Sequence, residues 1–528
     1  MWSSWWDIAF SMNNKYSAEL LTLLLITTSA VLWIFRAAKN PKKASPRLPP
    51  GPLGLPLVGY LPFLGSQVHR EFSQLAKIYG PIYKFWLGTK LCVVVSSPSL
   101  AKEVVRDHDS VFANRDPPIS AQFVTFGGND IVFSPLGKNW RKLRKIFVSQ
   151  MLGSTVLDNS YSLRREQVMK SIRNVYANIG NPIDVGELAF LTSINSVMSM
   201  FWGGTEQEEK GVVFGAEFKN MTTELMVLLG KSNLSDIFPV LARFDIQGIQ
   251  RQVKKVADSF ERVFDSAIDQ RKKTMEAEKD DGRPEGNEER KDFMQFLLRL
   301  HDGEDRSSSI TMPQLKAVLM DTVVGGTDTT ATTTEWAIAE LMQHPEAMKK
   351  VHQELTQVVG LNNLVEEFHL PKLTYLDAVI KETLRLHPPL PFLIPRCPSK
   401  CSTIGGYMVP EGTRIFLNIW AIHRDPNVWE NPLEFRPERF LNGHMEFDYN
   451  GNNFEYLPFG SGRRVCAGIP LGEKMLNFVV ASFLHSFEWK MPLGEKLDLS
   501  DSFGMVTKKM TPLVAIPTTR LSNLELYA

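Results

Sequence analysis

A single cysteine in a glycine-rich loop constrains this chain more than any other feature. Residues 459–468 read FGSGRRVCAG, and an apolar helix is predicted to begin near Ile469. A thiolate is a strong, soft donor to iron, and the glycines allow the backbone to approach a flat cofactor and to donate N–H groups to the sulfur. Phe459 can shield that sulfur from water. The loop therefore predicts that Cys466 is the axial ligand of an iron atom, with a buried structural cysteine as the alternative.

The composition excludes several other classes of protein. The chain has 528 residues, 43% of them hydrophobic, so it can bury a large core, and its formal net charge of +1 gives no general attraction to nucleic acid. Four cysteines are too few and too scattered for a disulfide framework. Cys397 and Cys401 have no second Cys/His pair at zinc spacing nearby, so reduced thiols in a cytosol-facing domain fit better than a zinc site.

The N-terminal region, residues 1–38, is predicted to be a membrane anchor. Residues 20–35 (LLTLLLITTSAVLWIF) carry no charge, and about twenty such residues span a bilayer core. The basic residues that follow favour the cytoplasmic side of the membrane, namely Arg36, Lys39, Lys42, Lys43 and Arg47. We expect a single N-terminal transmembrane helix with the rest of the chain in the cytosol; a cleaved secretory signal is the alternative.

A basic and proline-rich segment, residues 39–56, separates this anchor from the body of the chain. Proline fixes φ and removes a backbone donor, so this segment is predicted to be neither helix nor central strand. We interpret it as a stiff hinge, with residues 57–528 as the catalytic domain. A docking sequence for a partner that binds proline-rich peptides is the alternative.

The body is predicted to be mainly α with a minor β component. Residues 83–88 and 90–95 indicate two short strands of a hairpin, and residues 413–418 indicate another strand. Between them, apolar residues recur at helical spacing from about residue 99 to residue 350.

One long helix breaks the ordinary rules of helix composition. It is predicted to run from a capping box at Thr311 and Gln314 to the His344–Pro345 stop. Gly325 and Gly326 in its middle cost about 1 kcal/mol each relative to alanine, and six threonines follow within eight positions. Poor helix formers at the centre of a helix indicate a site, so we expect a local loosening of the helix beside a flat ligand.

Two motifs together resemble those of the cytochrome P-450 family of heme-thiolate monooxygenases. The cysteine loop fits the family pattern Phe-x-x-Gly-x-Arg-x-Cys-x-Gly at every fixed position, and residues 325–330 (GGTDTT) fit the family's oxygen-activation motif. The resemblance covers residues 48–520 and implies the fold of that family and heme b as the cofactor. By this likeness Thr329 would position dioxygen and Asp328 would help to deliver protons; capping of a kinked helix is the alternative role for both.

Further motifs occur in the order that the family has them. Glu382 and Arg385 form Glu-x-x-Arg, and Arg439 follows in Pro-Glu-Arg-Phe, which implies a buried network that braces the core on the heme side. The resemblance also implies a set of residues that contact the heme or its propionates: Trp140, Arg144, Arg396, Phe459, Arg464 and Cys466.

The hinge and the cysteine loop are similar to those of plant microsomal members of the family. This likeness implies an endoplasmic-reticulum membrane protein with one membrane pass and a cytosolic catalytic domain. It also implies NADPH-cytochrome P-450 reductase as the electron donor, O2 and a small hydrophobic substrate as ligands, and no nucleic-acid partner. The reductase would dock on basic residues, for which a merely solvated face is the alternative: Arg141, Lys142, Lys145, Arg463 and Lys474.

Three runs, residues 127–133, 236–245 and 323–328, are similar to a plant subfamily that includes sesquiterpene hydroxylases, such as cadinene hydroxylase, and flavone hydroxylases. We favour a sesquiterpene or other terpenoid as the substrate, with a flavonoid as the alternative. The family likeness predicts an apolar pocket, although ordinary core packing is the alternative for each phenylalanine: Phe123, Phe126, Val324, Phe392 and Phe503. Two further alternatives are a heme isomerase or dehydratase, and a non-catalytic heme-binding protein.

Overall fold

The computed structural model describes residues 47–202, 208–280, 292–303, 309–441 and 447–528, together with Thr22, Leu24, Thr27 and Thr28. In this part of the chain helices dominate and the sheets are small, as predicted. The helices are α1 (Val68–Tyr79), α2 (Pro98–Lys102), α3 (Asp109–Phe112), α4 (Ala121–Val124), α5 (Lys138–Ile146), α6 (Ser154–Asn159), α7 (Tyr161–Ala177), α8 (Val185–Trp202), α9 (Glu208–Gly230), α10 (Leu234–Ile237), α11 (Ile249–Asp280), α12 (Phe293–Asp302), α13 (Met312–Gln343), α14 (Pro345–Val358), α15 (Thr374–Leu386), α16 (Ile419–Ile422) and α17 (Ile469–Ser486).

The strands form small sheets at the edges of the helical body. They are β1 (Ile82–Leu87), β2 (Lys90–Val95), β3 (Ile183–Asp184), β4 (Ser402–Ile404), β5 (Tyr407–Val409), β6 (Arg414–Leu417), β7 (Phe487–Lys490), β8 (Asp501–Ser502), β9 (Lys508–Lys509) and β10 (Val514–Thr519). Strands β1 and β2 form the predicted antiparallel hairpin, and β6 pairs with β2 in parallel, with Cys92 opposite Arg414. The other sheets are β3-β10-β7, β4-β5 and β8-β9.

Helix α13 passes through the centre of the body and packs against α8, α15 and α17. It begins at the predicted capping box, in which Thr311 accepts from the Gln314 N–H, and it ends before Pro345. The predicted loosening in its middle is absent, because the helix is continuous through residues 325–330. Its threonine hydroxyls donate to carbonyls four residues earlier, as Thr329 does to Gly325 at 2.9 Å. This back-bonding satisfies the hydroxyls without breaking the helix.

The proline-rich segment lies along the edge of β1. The Lys84 N–H donates to the Pro50 carbonyl at 2.8 Å, and its ammonium donates to the Pro49 carbonyl at 2.5 Å. Residues 47–54 are neither helix nor strand, as their proline content predicts. The role of residues 39–56 as a hinge stays a prediction.

The predicted membrane anchor lies outside the described residues, apart from the four named above. Within that short stretch the Thr27 and Thr28 hydroxyls donate to the Leu24 carbonyl at 3.1 and 2.7 Å, which is helical spacing. Of the helices in the described part of the chain, none combines the length and the apolar character that a membrane crossing requires.

Candidate active site

The cysteine loop is shaped by glycines that no other residue can replace without strain. Gly460 and Gly462 have φ values of 74° and 69°, in the left-handed region. A Cβ on Gly462 would lie 2.2 Å from the Val105 carbonyl oxygen. The loop closes on itself because the Cys466 N–H donates to the Phe459 carbonyl at 2.9 Å. This short closure fixes the position of the sulfur directly before α17.

The Cys466 thiol faces the inside of a cavity. Its Sγ accepts a hydrogen bond from the Gly468 N–H at 3.3 Å. Burial beneath the protein surface raises the pKa of this thiol, and the Gly468 N–H and the charge of Arg144 offset part of the rise. A bound metal cation favours the thiolate far more strongly than these groups do. The sulfur is therefore suited to coordinate a metal that enters the cavity.

The cavity separates the cysteine loop from α13. Its volume is about 290 Å³. The side of α13 that lines it carries Asp321, Gly325, Thr329 and Thr333, which recur at every fourth position. A flat group thus has the Cys466 sulfur on one side and a helix with little bulk on the other.

Four arginines line this cavity, and their charges are close together. The charges of Arg396 and Arg464 add to the effect of burial, and together they hold the pKa of Arg115 well below its usual value. Arg396 is paired with Asp109 at 2.9 Å, whereas in the described part of the chain Arg115, Arg144 and Arg464 have no carboxylate within 4 Å. Such a cluster of guanidinium groups favours an anionic ligand.

The arginines are held in place by backbone carbonyls. Arg464 donates to the carbonyls of Ala113, Ile131 and Ser134, at distances between 2.6 and 3.1 Å. Arg144 donates to the Val465 carbonyl at 2.6 Å, directly beside the cysteine. These contacts point the charges to one side of the cavity.

Trp140 lies behind the arginines and does not line the cavity. Its indole N–H donates to the Ile131 carbonyl at 2.9 Å, and the Arg464 guanidinium lies 4.4 Å from its ring centroid. The sequence placed Trp140 among the residues that contact the cofactor. In the structure it supports Arg464 by a cation–π contact, and its contact with the cofactor stays a prediction.

Sequence reasoning missed Arg115 and Asp321, which both line the cavity. Arg115 donates to the Val132 carbonyl at 3.1 Å and to the Ile394 carbonyl at 2.5 Å. A signal for Asp321 was available, because it is the only charge in the apolar run 317–327 (AVLMDTVVGGT). Arg115 gave no such signal, since it lies in the polar run 114–116 (NRD).

Asp328 does not line the cavity, although its neighbour Thr329 does. The Asp328 carboxylate is buried and forms an ion pair with the Lys508 ammonium at 2.5 Å. Burial raises the pKa of Asp328, and Lys508 offsets part of this rise. The structure therefore places the two residues of the predicted proton relay on different sides of α13.

The Glu382, Arg385 and Arg439 side chains form one network. Arg385 contacts the Glu382 carboxylate at 2.6 and 2.9 Å, and the Arg439 Nε donates to the same carboxylate at 3.0 Å. Glu382 and Arg385 are fully buried. Arg385 also donates to the His423 carbonyl at 2.7 Å, so the network connects α15 to the segments that follow it.

The predicted pocket residues separate into two groups. Phe392 and Phe503 line a second cavity, which adjoins the first and shares Arg115, Leu393 and Ile394 with it. Phe123, Phe126 and Val324 line neither cavity and pack, partly buried, against the main core. These three side chains pack against the core, and their place in a substrate pocket stays a prediction.

The site residues fit a heme. The thiol of Cys466 is a donor that iron prefers, the glycines leave room for a flat ring, and Phe459 lies next to the sulfur on the cavity wall. The unpaired guanidinium groups match the two carboxylates that a heme b carries. A thiolate-ligated heme beside a helix that bears a threonine is the site of a heme-thiolate monooxygenase.

Comparison with known proteins identifies the family. The family model for cytochrome P-450 matches residues 49–514, so the chain belongs to that family. It is therefore a heme monooxygenase that uses heme b, takes electrons from a redox partner, and acts on small substrates with O2.

The curated relatives are plant enzymes. The chain is 36% identical to a flavonoid 3',5'-hydroxylase of Crocosmia x crocosmiiflora, over 96% of this chain and 98% of the relative. It is 37% identical to a flavonoid 3'-monooxygenase of Petunia hybrida (95% and 98% covered), and 38% identical to a cytochrome P-450 monooxygenase of Lophophora williamsii (89% and 93% covered). A solved structure of a zebra fish cytochrome P-450 with progesterone matches with a TM-score of 0.73 and 26% identity, over 85% of this chain and 99% of that one.

Proposed function

We propose that the chain hydroxylates the aromatic ring of a flavonoid, with O2 as the oxygen source and NADPH as the source of electrons. The observation that carries this proposal is the set of relatives named as flavonoid hydroxylases or monooxygenases, each 35–37% identical and aligned over at least 90% of both chains. These relatives support the flavonoid alternative better than the sesquiterpene that the sequence favoured. Their names also favour oxygenation over isomerisation, dehydration or mere heme binding.

In this proposal the Cys466 sulfur would hold the heme iron, and Arg115, Arg144, Arg396 and Arg464 would hold the propionates. When bound, the heme supplies the activation of O2. Phe459 and the Gly468 N–H protect the sulfur from water and stabilise its negative charge. The glycines of the loop and of α13 leave the two faces of the ring free of side-chain bulk.

Thr329 and Asp328 move the protons. The Thr329 hydroxyl donates to the Gly325 carbonyl at the cavity wall, where it would hold a proton beside the cofactor. One Asp328 oxygen contacts Lys508, and the other has no partner among the described residues. Burial lets this carboxyl hold a proton more readily than an exposed aspartate does. Transfer to Thr329 requires that Asp328 turns away from Lys508, which makes this ion pair a part of the relay.

The electron donor is a membrane-bound, NADPH-dependent flavoprotein reductase, and the chain is anchored in the endoplasmic-reticulum membrane. Arg141 and Lys145 are exposed on α5, the helix whose Arg144 donates to the Val465 carbonyl beside Cys466, and the exposed Arg463 in the cysteine loop is paired with Asp109. A basic surface close to the sulfur suits an acidic partner that must pass electrons to the iron, because electrostatic complementarity speeds encounter.

The test is turnover by microsomes that contain the chain and a plant reductase. Naringenin, apigenin and quercetin-type flavonoids would be offered beside a panel of sesquiterpene hydrocarbons, and products would be identified by mass spectrometry. We expect an NADPH-dependent product with one added oxygen from a flavonoid. Oxygenation of sesquiterpenes alone would contradict the flavonoid proposal and restore the terpenoid alternative.

A further inference from the structure

Asp321 brings a carboxyl group into the wall of the active-site cavity. It lies two turns before Thr329 on the same face of α13, with Gly325 between them. The wall of this cavity is mainly apolar and includes Val132 and Phe147, besides the four arginines described above. An ionisable group in such surroundings is costly, which favours a role for it.

The contacts of Asp321 leave part of the carboxyl available to a ligand. Its Oδ2 accepts a hydrogen bond from the Ile131 N–H at 2.6 Å, which holds the side chain in one orientation. The other oxygen has no hydrogen bond to a described residue and is not among the buried, unpartnered atoms. No lysine or arginine of the described chain forms an ion pair with this carboxyl, and the charged group that acts on it is a second acid, Asp130.

These surroundings favour the neutral form of the carboxyl. Burial is the largest cause of a pKa well above the usual value, the charge of Asp130 adds to it, and the Ile131 N–H opposes both. A neutral carboxyl can donate one hydrogen bond as well as accept, so it can bind a carbonyl or a phenol oxygen without a charged partner.

The spacing along α13 sets the length of the ligand. Eight residues of helix separate Asp321 from Thr329, which corresponds to about 12 Å at 1.5 Å per residue. A Cβ built on Gly325, halfway between them, would meet no atom within 4 Å. The helix therefore presents an open, flat path between the carboxyl and the threonine.

We propose that the Asp321 carboxyl hydrogen-bonds an oxygen of the substrate at the end remote from Thr329, and so selects flat ligands that carry a phenol or carbonyl oxygen there. This specificity role rests on the proposed function, because a flat three-ring phenolic spans this path with its reacting ring at Thr329. A hydrocarbon ligand leaves the buried carboxyl without a hydrogen-bond partner, and the free-energy cost of this unsatisfied group weakens the binding of the hydrocarbon.

The test compares ligands that differ by one oxygen, through the change that binding causes in the absorption of the heme-loaded enzyme. One pair is 7-hydroxyflavone and flavone, and the other is farnesol and farnesene. We expect the parent enzyme to bind the hydroxylated member of a pair about tenfold more tightly, the worth of one net hydrogen bond. Asp321→Leu should remove this preference and tighten the binding of the member without the hydroxyl, because no buried carboxyl is then left without a partner.

Asp321→Asn is the matched control variant, because an amide keeps both an acceptor for the Ile131 N–H and a donor for the ligand. It should keep the preference within about threefold of the parent. The proposal is overturned if the parent shows no preference in either pair, if Asp321→Leu keeps the preference, or if Asp321→Leu weakens both members of a pair equally. The parent measurement needs no variant, so it stays decisive even where Asp321→Leu does not fold.

The two pairs separate this inference from the proposed function. If no flavonoid binds or turns over, the flavonoid proposal fails, and the farnesol and farnesene pair still reports on Asp321. If flavonoids turn over but Asp321→Leu keeps the oxygen preference, the specificity role alone fails.

Discussion

The two walls of the central cavity are built in different ways. The thiolate wall, residues 459–468, is one continuous stretch whose own backbone closes it, with the Cys466 N–H on the Phe459 carbonyl at 2.9 Å. The opposite wall, by contrast, combines Asp321 of α13 with Leu390, Leu393 and Ile394, which are remote from it in sequence. The thiolate wall, which serves cofactor binding, is encoded by neighbouring residues. The opposite wall, which we propose serves substrate selection, depends on how distant segments pack.

The largest effect is expected where the network behind the heme-side core is broken. Glu382→Gln removes the charge that Arg385 and Arg439 share in a buried position, and an unpaired buried charge costs about 3–5 kcal/mol. We expect a loss of most heme-loaded protein and a lower thermal midpoint. Glu430→Gln is the control, because Glu430 forms only a solvent-exposed ion pair with Arg436, and such pairs contribute little to stability. Equal losses in both variants would show that the network does not brace the core.

The thiolate wall itself is tested by Gly462→Ala. The new Cβ adds a clash with the Val105 carbonyl to the cost of a left-handed alanine, which alone is about 1–2 kcal/mol. Gly180→Ala is matched to it, since Gly180 has φ of 80° and a Cβ there meets no atom within 4 Å. Heme content per folded protein should fall several-fold in the first variant and stay near the parent value in the second. A Gly462→Ala enzyme with full heme content would mean that the loop is not tightly shaped.

Thr329→Ala tests the side of α13 that faces the thiolate wall. Heme content should stay unchanged, while product formed per NADPH consumed falls several-fold because the hydroxyl no longer holds a proton beside the oxygen. Thr327→Ala removes an equivalent hydroxyl, bonded to the Val323 carbonyl, from a buried position off the cavity. Coupling that is the same in Thr329→Ala and Thr327→Ala would remove Thr329 from the chemistry.

The smallest effect on the protein is expected at the second cavity. Phe503→Ala removes a ring whose centroid lies 5.5 Å from that of the stacked His69 ring and 5.8 Å from that of the Phe392 ring. Heme content should be unchanged, but the affinity for a bulky substrate, or the ratio of its products, should shift several-fold. Phe368, which is 67% exposed and lines neither cavity, provides the control as Phe368→Ala. The second cavity has no part in substrate binding if both variants leave affinities and products unchanged.

The same contrast explains what the sequence could predict. The cysteine loop, the capping box at Thr311 and the β1–β2 hairpin depend on residues that are neighbours in the chain, and each was predicted. Phe126 and Val324 were expected in the pocket and pack against the main core, which the sequence could not indicate because the direction of a side chain depends on which distant helix covers it. Arg115 was missed for the same reason: its contacts with Val132 and Ile394 exist only in the folded chain.

The direction in which the Asp328 side chain points also could not be predicted from neighbouring residues. The motif placed it beside Thr329, but consecutive residues of a helix point about 100° apart, and Lys508 of β9 captures the carboxylate. The predicted loosening of α13 failed because the threonine hydroxyls return their hydrogen bonds to the helix itself. In both cases the motif did not indicate the hydrogen-bond partner: Lys508 for Asp328, and the helix carbonyls for the threonine hydroxyls.

The absorption spectrum of the reduced, carbon-monoxide-bound enzyme tests the central assignment most directly. The parent protein should show the red-shifted band of a thiolate-ligated heme. Cys466→Ser, matched by Cys401→Ser at an exposed cysteine away from the cavity, should lose that band while Cys401→Ser keeps it. A Cys466→Ser protein with an unaltered thiolate-type band, or a parent whose band is that of a nitrogen-ligated heme, would contradict the account.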